Sequence, residues 1–184
     1  MNAGPPLAVY RLQLRNGIGF AEAAARVSYL ADLGVSHLHL SPPFTACEGS
    51  THGYDVADPT AFDPALGGEA GFAELSDALR RHGLGLILDI VPNHMGIGTD
   101  NAWWCDVLAK GAASPHAAAF DIDLSRDADG KLVLPVLGGP AEEAIAAGDL
   151  RLADDGRSLA YFDRRFPLAE GSAAAGDVAQ VLAA

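Results

Sequence analysis

The stretch Gly85-Leu-Ile-Leu-Asp-Ile-Val-Pro-Asn-His94 constrains this chain more than any other, because an apolar run of strand length ends in a carboxylate, a carboxamide and an imidazole. Leu, Ile and Val on both parities suit a strand covered on both faces, as in a parallel sheet, and Pro92 closes it because proline brings no ladder donor. In α/β architectures ligands sit beyond the carboxyl ends of parallel strands, so Asp89, Asn93 and His94 stand where a site would be. A plainer reading of the local pattern stays open: Asp89 caps or braces the following loop.

The segments before it repeat one unit. Val9-Tyr-Arg-Leu-Gln-Leu14 alternates between Pro5-Pro6 and Asn16-Gly17 and reads as a first strand. Phe20, Ala24, Val27, Leu30 and Ala31 recur at helical spacing, and Gly34 supplies a left-handed stop. Residues 35–40 form a second strand, closed by Ser41-Pro42-Pro43. A Gly-, Pro- and Thr-rich loop over residues 44–68 follows, far longer than an ordinary βα connection and therefore expected to be functional. Phe72, Leu75, Leu79 and His82 mark a second helix, with Glu69 at its positive end and Gly83 as its stop. Right-handed crossovers turn such repeats into a parallel sheet, either the start of a (β/α) barrel or a doubly wound sheet.

After His94 the character changes. Residues 101–111 suit a short helix, and Lys131-Leu-Val-Leu-Pro-Val-Leu137 reads as an edge or irregular strand because of Pro135. Residues 150–153 and 158–162 flank Asp154-Asp155-Gly156, a hairpin signal, and the Ala-rich tail from 176 to 184 reads as helical. The second half thus resembles an antiparallel insertion rather than further β-α units.

With 184 residues, 49% of them hydrophobic, the chain has the size of one ordinary domain and enough apolar surface for a core. Its apolar runs fall well short of the ~20 residues a membrane helix needs, and the N-terminus shows no secretory pattern. Cys47 and Cys105 are too few for a disulfide framework or a zinc site, which leaves a cytoplasmic setting as the default. A net charge of -12 without a basic cluster argues against nucleic acid and anionic membrane as partners. It favours a neutral or cationic ligand.

Asp89-Ile-Val-Pro-Asn-His94 resembles the first signature region of the α-amylase superfamily of retaining α-glucan enzymes, and Gly53-Tyr54-Asp55 resembles its second-strand loop. More narrowly, the chain is similar to the malto-oligosyltrehalose synthase family. The segments that carry this are Tyr10-Arg-Leu-Gln-Leu14, Leu30-Ala-Asp-Leu-Gly-Val-Ser-His-Leu38, Gly49-Ser-Thr-His-Gly-Tyr-Asp-Val56, Asn101-Ala-Trp-Trp104, Phe120-Asp-Ile-Asp123, Leu134-Pro-Val-Leu-Gly138 and Tyr161-Phe-Asp-Arg-Arg-Phe-Pro167. The resemblance implies the N-terminal part of a (β/α)8 TIM barrel, three strands and two helices over residues 1–95. An antiparallel insertion-type subdomain over 96–184 would follow it. It implies a maltodextrin, an α-1,4-glucan, as substrate, and rearrangement of the reducing-end α-1,4 bond to α,α-1,1. Another glycosidase or transglycosidase of the superfamily is the alternative within that class.

Retaining glycoside chemistry needs two carboxyl groups about 5 Å apart. The family carries them on the fourth and fifth barrel strands, which this stretch of chain does not reach, so no catalytic residue is assigned here. Asp121, Asp123, Glu142, Glu143, Asp154, Asp155 and Asp163 lie outside any context like the family's catalytic segments. What the resemblance does imply is part of a sugar-binding wall. Tyr54 would be the aromatic platform under a pyranose ring. His94 would donate to a hydroxyl of the same sugar, and His52 would do so with weaker support. Asp89 would organise neighbouring arginine or tyrosine groups, and Asn93 would tie the insertion to the barrel. One carboxamide does not make the six to eight oxygen ligands calcium takes, so no metal and no other cofactor is expected. Of Trp103 and Trp104, ~100° apart on a helix, at most one faces a cleft. His37 and His39 alternate with Leu38 and Leu40 and read as packing groups.

A complete barrel of this type takes ~250 residues. Three strands by themselves leave two unpaired edges, a predicted site of aggregation or self-association. The chain is therefore expected to be the N-terminal piece of a longer enzyme; the alternative from another class is a non-catalytic glucan-binding module that completes its barrel with a partner.

Overall fold

In chain order the first part of the molecule runs β1 (Val9–Leu12), α1 (Phe20–Ala25), α2 (Val27–Asp32), β2 (His37–Leu40), β3 (Phe44–Ala46), β4 (Val56–Phe62), a 3-10 turn (Pro64–Leu66), α3 (Gly68–Arg81) and β5 (Gly85–Leu88). The computed structural model describes residues 4–123, 132–170, 172 and 178–183. Two units divide the chain, Met1–Gly96 and Ile97–Ala184.

In the first unit β1, β2 and β5 make a parallel sheet in the order β1-β2-β5, with Arg11 opposite His39 and His39 opposite Ile87. Each crossover passes through helix, as the repeated apolar periodicity predicts. Leu38 and Leu40 on central β2 are fully buried, whereas β1 is mostly exposed and β5 half-buried beyond Gly85. Burial of β5 on both faces, expected from its composition, is thus not reached: no described strand pairs with the outer edge of β1 or β5. Serines fix β1 against β2 at both ends. Ser36 Oγ accepts from Leu7 N and Ala8 N, each at 3.0 Å, and donates to Ala8 O at 2.9 Å, while Ser41 Oγ accepts from Leu14 N at 2.9 Å.

The core lies between the sheet and its helices and is built from Leu14, Phe20, Val27, Leu30, Leu38, Leu40, Leu75 and Leu79. The single helix expected over 20–31 is interrupted at Arg26, where Arg26 N reaches back to Ala23 O at 3.1 Å and tightens the turn before α2 resumes with Leu30 N bonded to Arg26 O. Gly34 and Gly83 take the left-handed φ values, 85° and 73°, that their stop positions require. The expected loop over 44–68 is more ordered than its composition suggests. It folds into an antiparallel β3–β4 hairpin with register shifts, and Pro59 is tolerated because the pair has only two strands. Phe62 on β4 stacks on Phe44 at 5.6 Å and on Phe72 of α3 at 3.9 Å between ring centroids, and meets Phe20 edge-on at 6.1 Å.

The second unit contains α4 (Ala102–Lys110), α5 (Ala141–Ala146), β6 (Leu150–Leu152), β7 (Ser158–Tyr161), β8 (Arg164–Pro167) and α6 (Val178–Ala183). Asn101, fully buried, caps α4 by accepting Trp104 N at 3.0 Å. β6, β7 and β8 form an antiparallel sheet. Asp155 holds the first turn by accepting from Arg157 N at 2.8 Å and Ser158 N at 3.1 Å, which keeps its carboxyl below the usual carboxylate range. The third strand, Arg-Arg-Phe-Pro, has no apolar alternation to announce it. The expected strand over 131–137 does not form among the described residues 132–137, where Pro135 removes a donor and Val136 N finds Leu134 O locally; Lys131 lies outside the described residues. In the tail, residues 178–183 are helical, and 176, 177 and 184 lie outside the described residues. Ala144, Leu150, Leu159 and Val181 make this unit's own core. No helix among the described residues is long and apolar enough to cross a membrane.

Candidate functional site

All five residues singled out in the sequence lie in the first unit, on the segments that leave the carboxyl ends of β2 and β5. Asp89 follows β5 directly, its N bonded to Leu40 O at 3.0 Å, so the sheet itself sets where the carboxylate stands. Its Oδ2 accepts the Tyr54 hydroxyl at 2.5 Å. Arg11, from β1, donates through Nη2 to the same phenol oxygen at 2.8 Å and lies 3.8 Å from Asp89 Oδ2. The Tyr54 hydroxyl is thereby held between an anion that follows β5 and a cation borne on β1.

The hydrogen bond to Asp89 raises the pKa of Tyr54, burial adds to this, and Arg11 opposes it. An elevated folded value has a definite sign in stability: the contribution of the bond is present below the ordinary tyrosine value near 10 and is lost as pH rises through the folded value. The stability difference between the native chain and Tyr54→Phe should therefore shrink as pH is raised above about 10. Urea denaturation at stepped pH measures it; a pH-independent difference would show that the phenol proton has no part in the bond.

His94 reaches the same loop from the other side, with Nε2 3.0 Å from Tyr54 O and Nδ1 2.8 Å from Asn93 Oδ1. Nε2 donates to the Tyr54 carbonyl, so His94 braces the tyrosine backbone and that nitrogen is engaged within the protein. Asn93 stands exposed beside it. His52 lies nearly parallel to the Tyr54 ring, 24° between planes and 6.1 Å between centroids, and its Nδ1 accepts Tyr54 N at 3.0 Å. Asp55 accepts from Ser50 Oγ. Chemically the cluster offers a half-buried aromatic face, a fixed phenol and exposed imidazole and amide groups, the mixture a polyhydroxylated ring with apolar C–H faces can use.

Two residues of this site escaped the sequence reading. Arg11 and Gln13 share one parity of the first strand while Tyr10, Leu12 and Leu14 take the other, so strand alternation was the available signal. Gln13 Nε2 donates to His52 O at 3.2 Å. His37 is buried with Nδ1 3.1 Å from Ser36 Oγ, in keeping with a packing role. In the second unit Trp104 is buried against Phe120, and Trp103 stacks on His116 at 4.9 Å.

Against known proteins, the family model "Alpha amylase, catalytic domain" matches residues 19–126. The chain belongs to the alpha-amylase family. This alpha-amylase-family chain is 50% identical over 177 residues to a Mycobacterium tuberculosis protein named as a maltooligosyl trehalose synthase, a match that spans 92% of the chain and 22% of the relative. The structure of maltooligosyltrehalose synthase from Arthrobacter ramosus superposes with a TM-score of 0.82 at 45% identity, over 91% of this chain and 22% of that one. The intracellular maltogenic amylase of Bacillus subtilis is 37% identical over 97 residues, 53% of this chain and 16% of the relative. The chain therefore spans about a fifth of the length of the first two proteins. The parallel sheet of the first unit is a partial TIM barrel of this family.

Proposed function

We propose that this chain supplies one wall of the α-glucan cleft of a malto-oligosyltrehalose synthase type of enzyme, which moves the reducing-end glycosidic bond of a maltodextrin from α-1,4 to α,α-1,1. The observation that carries the narrower reading is the reach of the likeness. The match to the maltogenic amylase covers 53% of the chain, whereas the match to the Arthrobacter synthase covers 91% and so takes in the second unit as well. On this reading the second unit is the segment inserted after the third barrel strand. The setting is cytoplasmic.

Tyr54 is the sugar platform. Arg11 and Asp89 hold its hydroxyl, so the ring presents a face of settled orientation without a conformational cost at binding. His52 and Asn93 stand beside it to meet sugar hydroxyls, and His94 holds the loop backbone. The retaining reaction requires a nucleophile and an acid about 5 Å apart; here Asp89 is engaged by Tyr54 and Asp55 by Ser50, so the wall binds and orients without donating the reacting acids.

Titration of the chain with maltoheptaose by calorimetry or NMR tests this. Tyr54→Ala should weaken binding at least about tenfold, the equivalent of roughly 1.4 kcal/mol, and His52→Ala about two- to threefold. Unaltered affinity in Tyr54→Ala would remove the platform, and turnover of maltopentaose to a non-reducing product by this chain unaided would overturn the view that it is a wall only.

A further inference from the structure

We propose that Arg15 is a positioning residue for Tyr54: its guanidinium, pinned by Asp63, is a spacer under Gly53 that fixes where the loop presents the phenol. The proposal deepens the reading of Tyr54 as a sugar platform and rests on it.

Arg15 begins a two-residue turn, bonded N to Ile18 O at 2.7 Å and O to Ile18 N at 3.1 Å, in which Arg15, Asn16 and Gly17 all have left-handed φ of 81°, 52° and 87°. An arginine persists in that region only where its surroundings over-determine it. Here they do. The side chain is 7% exposed, and Nη2 donates to Asp63 Oδ2 at 2.7 Å and reaches Phe44 O at 3.4 Å. Asp63 is itself held by Ala46 N at 3.1 Å and Ala65 N at 2.8 Å, so the anchor is shared with both ends of the β3–β4 hairpin.

The Nε–Nη2 side of the same guanidinium lies against the loop that carries Tyr54. A Cβ on Gly53 would lie 2.7 Å from Arg15 Nε, 3.2 Å from Nη2 and 3.2 Å from Pro42 O, at a residue whose φ is 81°. Nε is buried with no hydrogen-bond partner among the described residues, so the group is pressed against Gly53 rather than bonded to it. The neighbours of Arg15 hold the same loop: Asn16 Nδ2 donates to Thr51 O at 3.3 Å and Gln13 Nε2 to His52 O at 3.2 Å. Gln13, Arg15 and Asn16 thus each touch one of residues 51–53, and Tyr54 is the next residue. An ion pair with Asp63 alone would be met by lysine; a planar group that spans Asp63, Phe44 and Gly53 at once is met by arginine.

The test is Arg15→Lys, which keeps the charge against Asp63 and removes the planar spacer, with Gly53→Ala as a second variant from the other side of the contact. The readout is the Tyr54 Cζ resonance in chain labelled with 13C at tyrosine Cζ, assigned by its loss in Tyr54→Phe, since it reports the hydrogen bond to Asp89. In Arg15→Lys with folded circular dichroism, the Tyr54 signal should move towards that of free tyrosine while Tyr10, Tyr29 and Tyr161 stay in place, and maltoheptaose affinity should fall about tenfold. Gly53→Ala should move the same signal, and by less when Arg15→Lys is also present, because backbone strain is common to both backgrounds and cancels in the cycle. An unmoved Tyr54 signal in both variants overturns the proposal. So does an Arg15→Lys chain that fails to fold, which would make the pair scaffold alone. A moved signal in a chain whose native form binds no maltoheptaose keeps Arg15 as the positioning residue and sinks the glucan reading instead.

Discussion

Asp63→Ala should destabilise the first unit by about 3–5 kcal/mol, the loss expected when one partner of a buried ion pair is removed and the other stays behind. The side chains of Arg15 and Asp63 are 7% and 6% exposed, so water does little to screen the pair or to take its place. The carboxylate also accepts Ala46 N and Ala65 N, and both donors would be left unmet. Against the 5–15 kcal/mol that holds an ordinary domain together, this is a large fraction. Urea denaturation followed by circular dichroism gives the value. A loss below about 1 kcal/mol would mean that the guanidinium reaches solvent when its partner is removed. Asp63→Asn should be milder, since its one side-chain oxygen still accepts from one of the two backbone donors.

Phe20→Ala should cost a similar amount, about 3–5 kcal/mol, by a different route. Phe20 is fully buried at the start of α1 and lies edge-on to Phe62 at 6.1 Å and to Phe72 at 5.6 Å. A Cβ on Gly71 would meet its ring at 3.4 Å, so the residue also fills the space that the small Gly71 leaves between α1 and α3. Truncation removes ring contacts from helix, hairpin and crossover together. Phe20→Leu should recover much of the loss; equal damage from both variants would show that ring stacking rather than filled volume dominates.

Much of the first unit could be read in advance because apolar periodicity and glycine stops speak to local structure. Pro42-Pro43 marks the end of β2, and Gly34 and Gly83 end the helices where a left-handed residue is needed; β5 stops at Leu88, before the Pro92 expected to close it. The hairpin within 44–68 was hidden by Pro59 and by its irregular register, and β8 by the two arginines that open it. Gly53-Tyr54-Asp55 and Asp89 through His94 were visible as motif. Arg11, Arg15 and Asp63 were not, because an arginine or aspartate in a turn or strand looks solvated until the partner that holds it is known, and those partners lie 48 and 43 residues away along the chain.

The serines at either end of β2 have a consequence for aim. A strand that slid two residues along its neighbour would keep its faces yet carry Arg11 past the phenol, and the evenly spaced bonds of a parallel ladder do not by themselves forbid it. Ser36 and Ser41 act as end stops on a ruler: any translation of the first strand breaks hydroxyl contacts at both limits at once. Two small side chains at the strand's ends thereby index the Arg11 cation to the Tyr54 phenol.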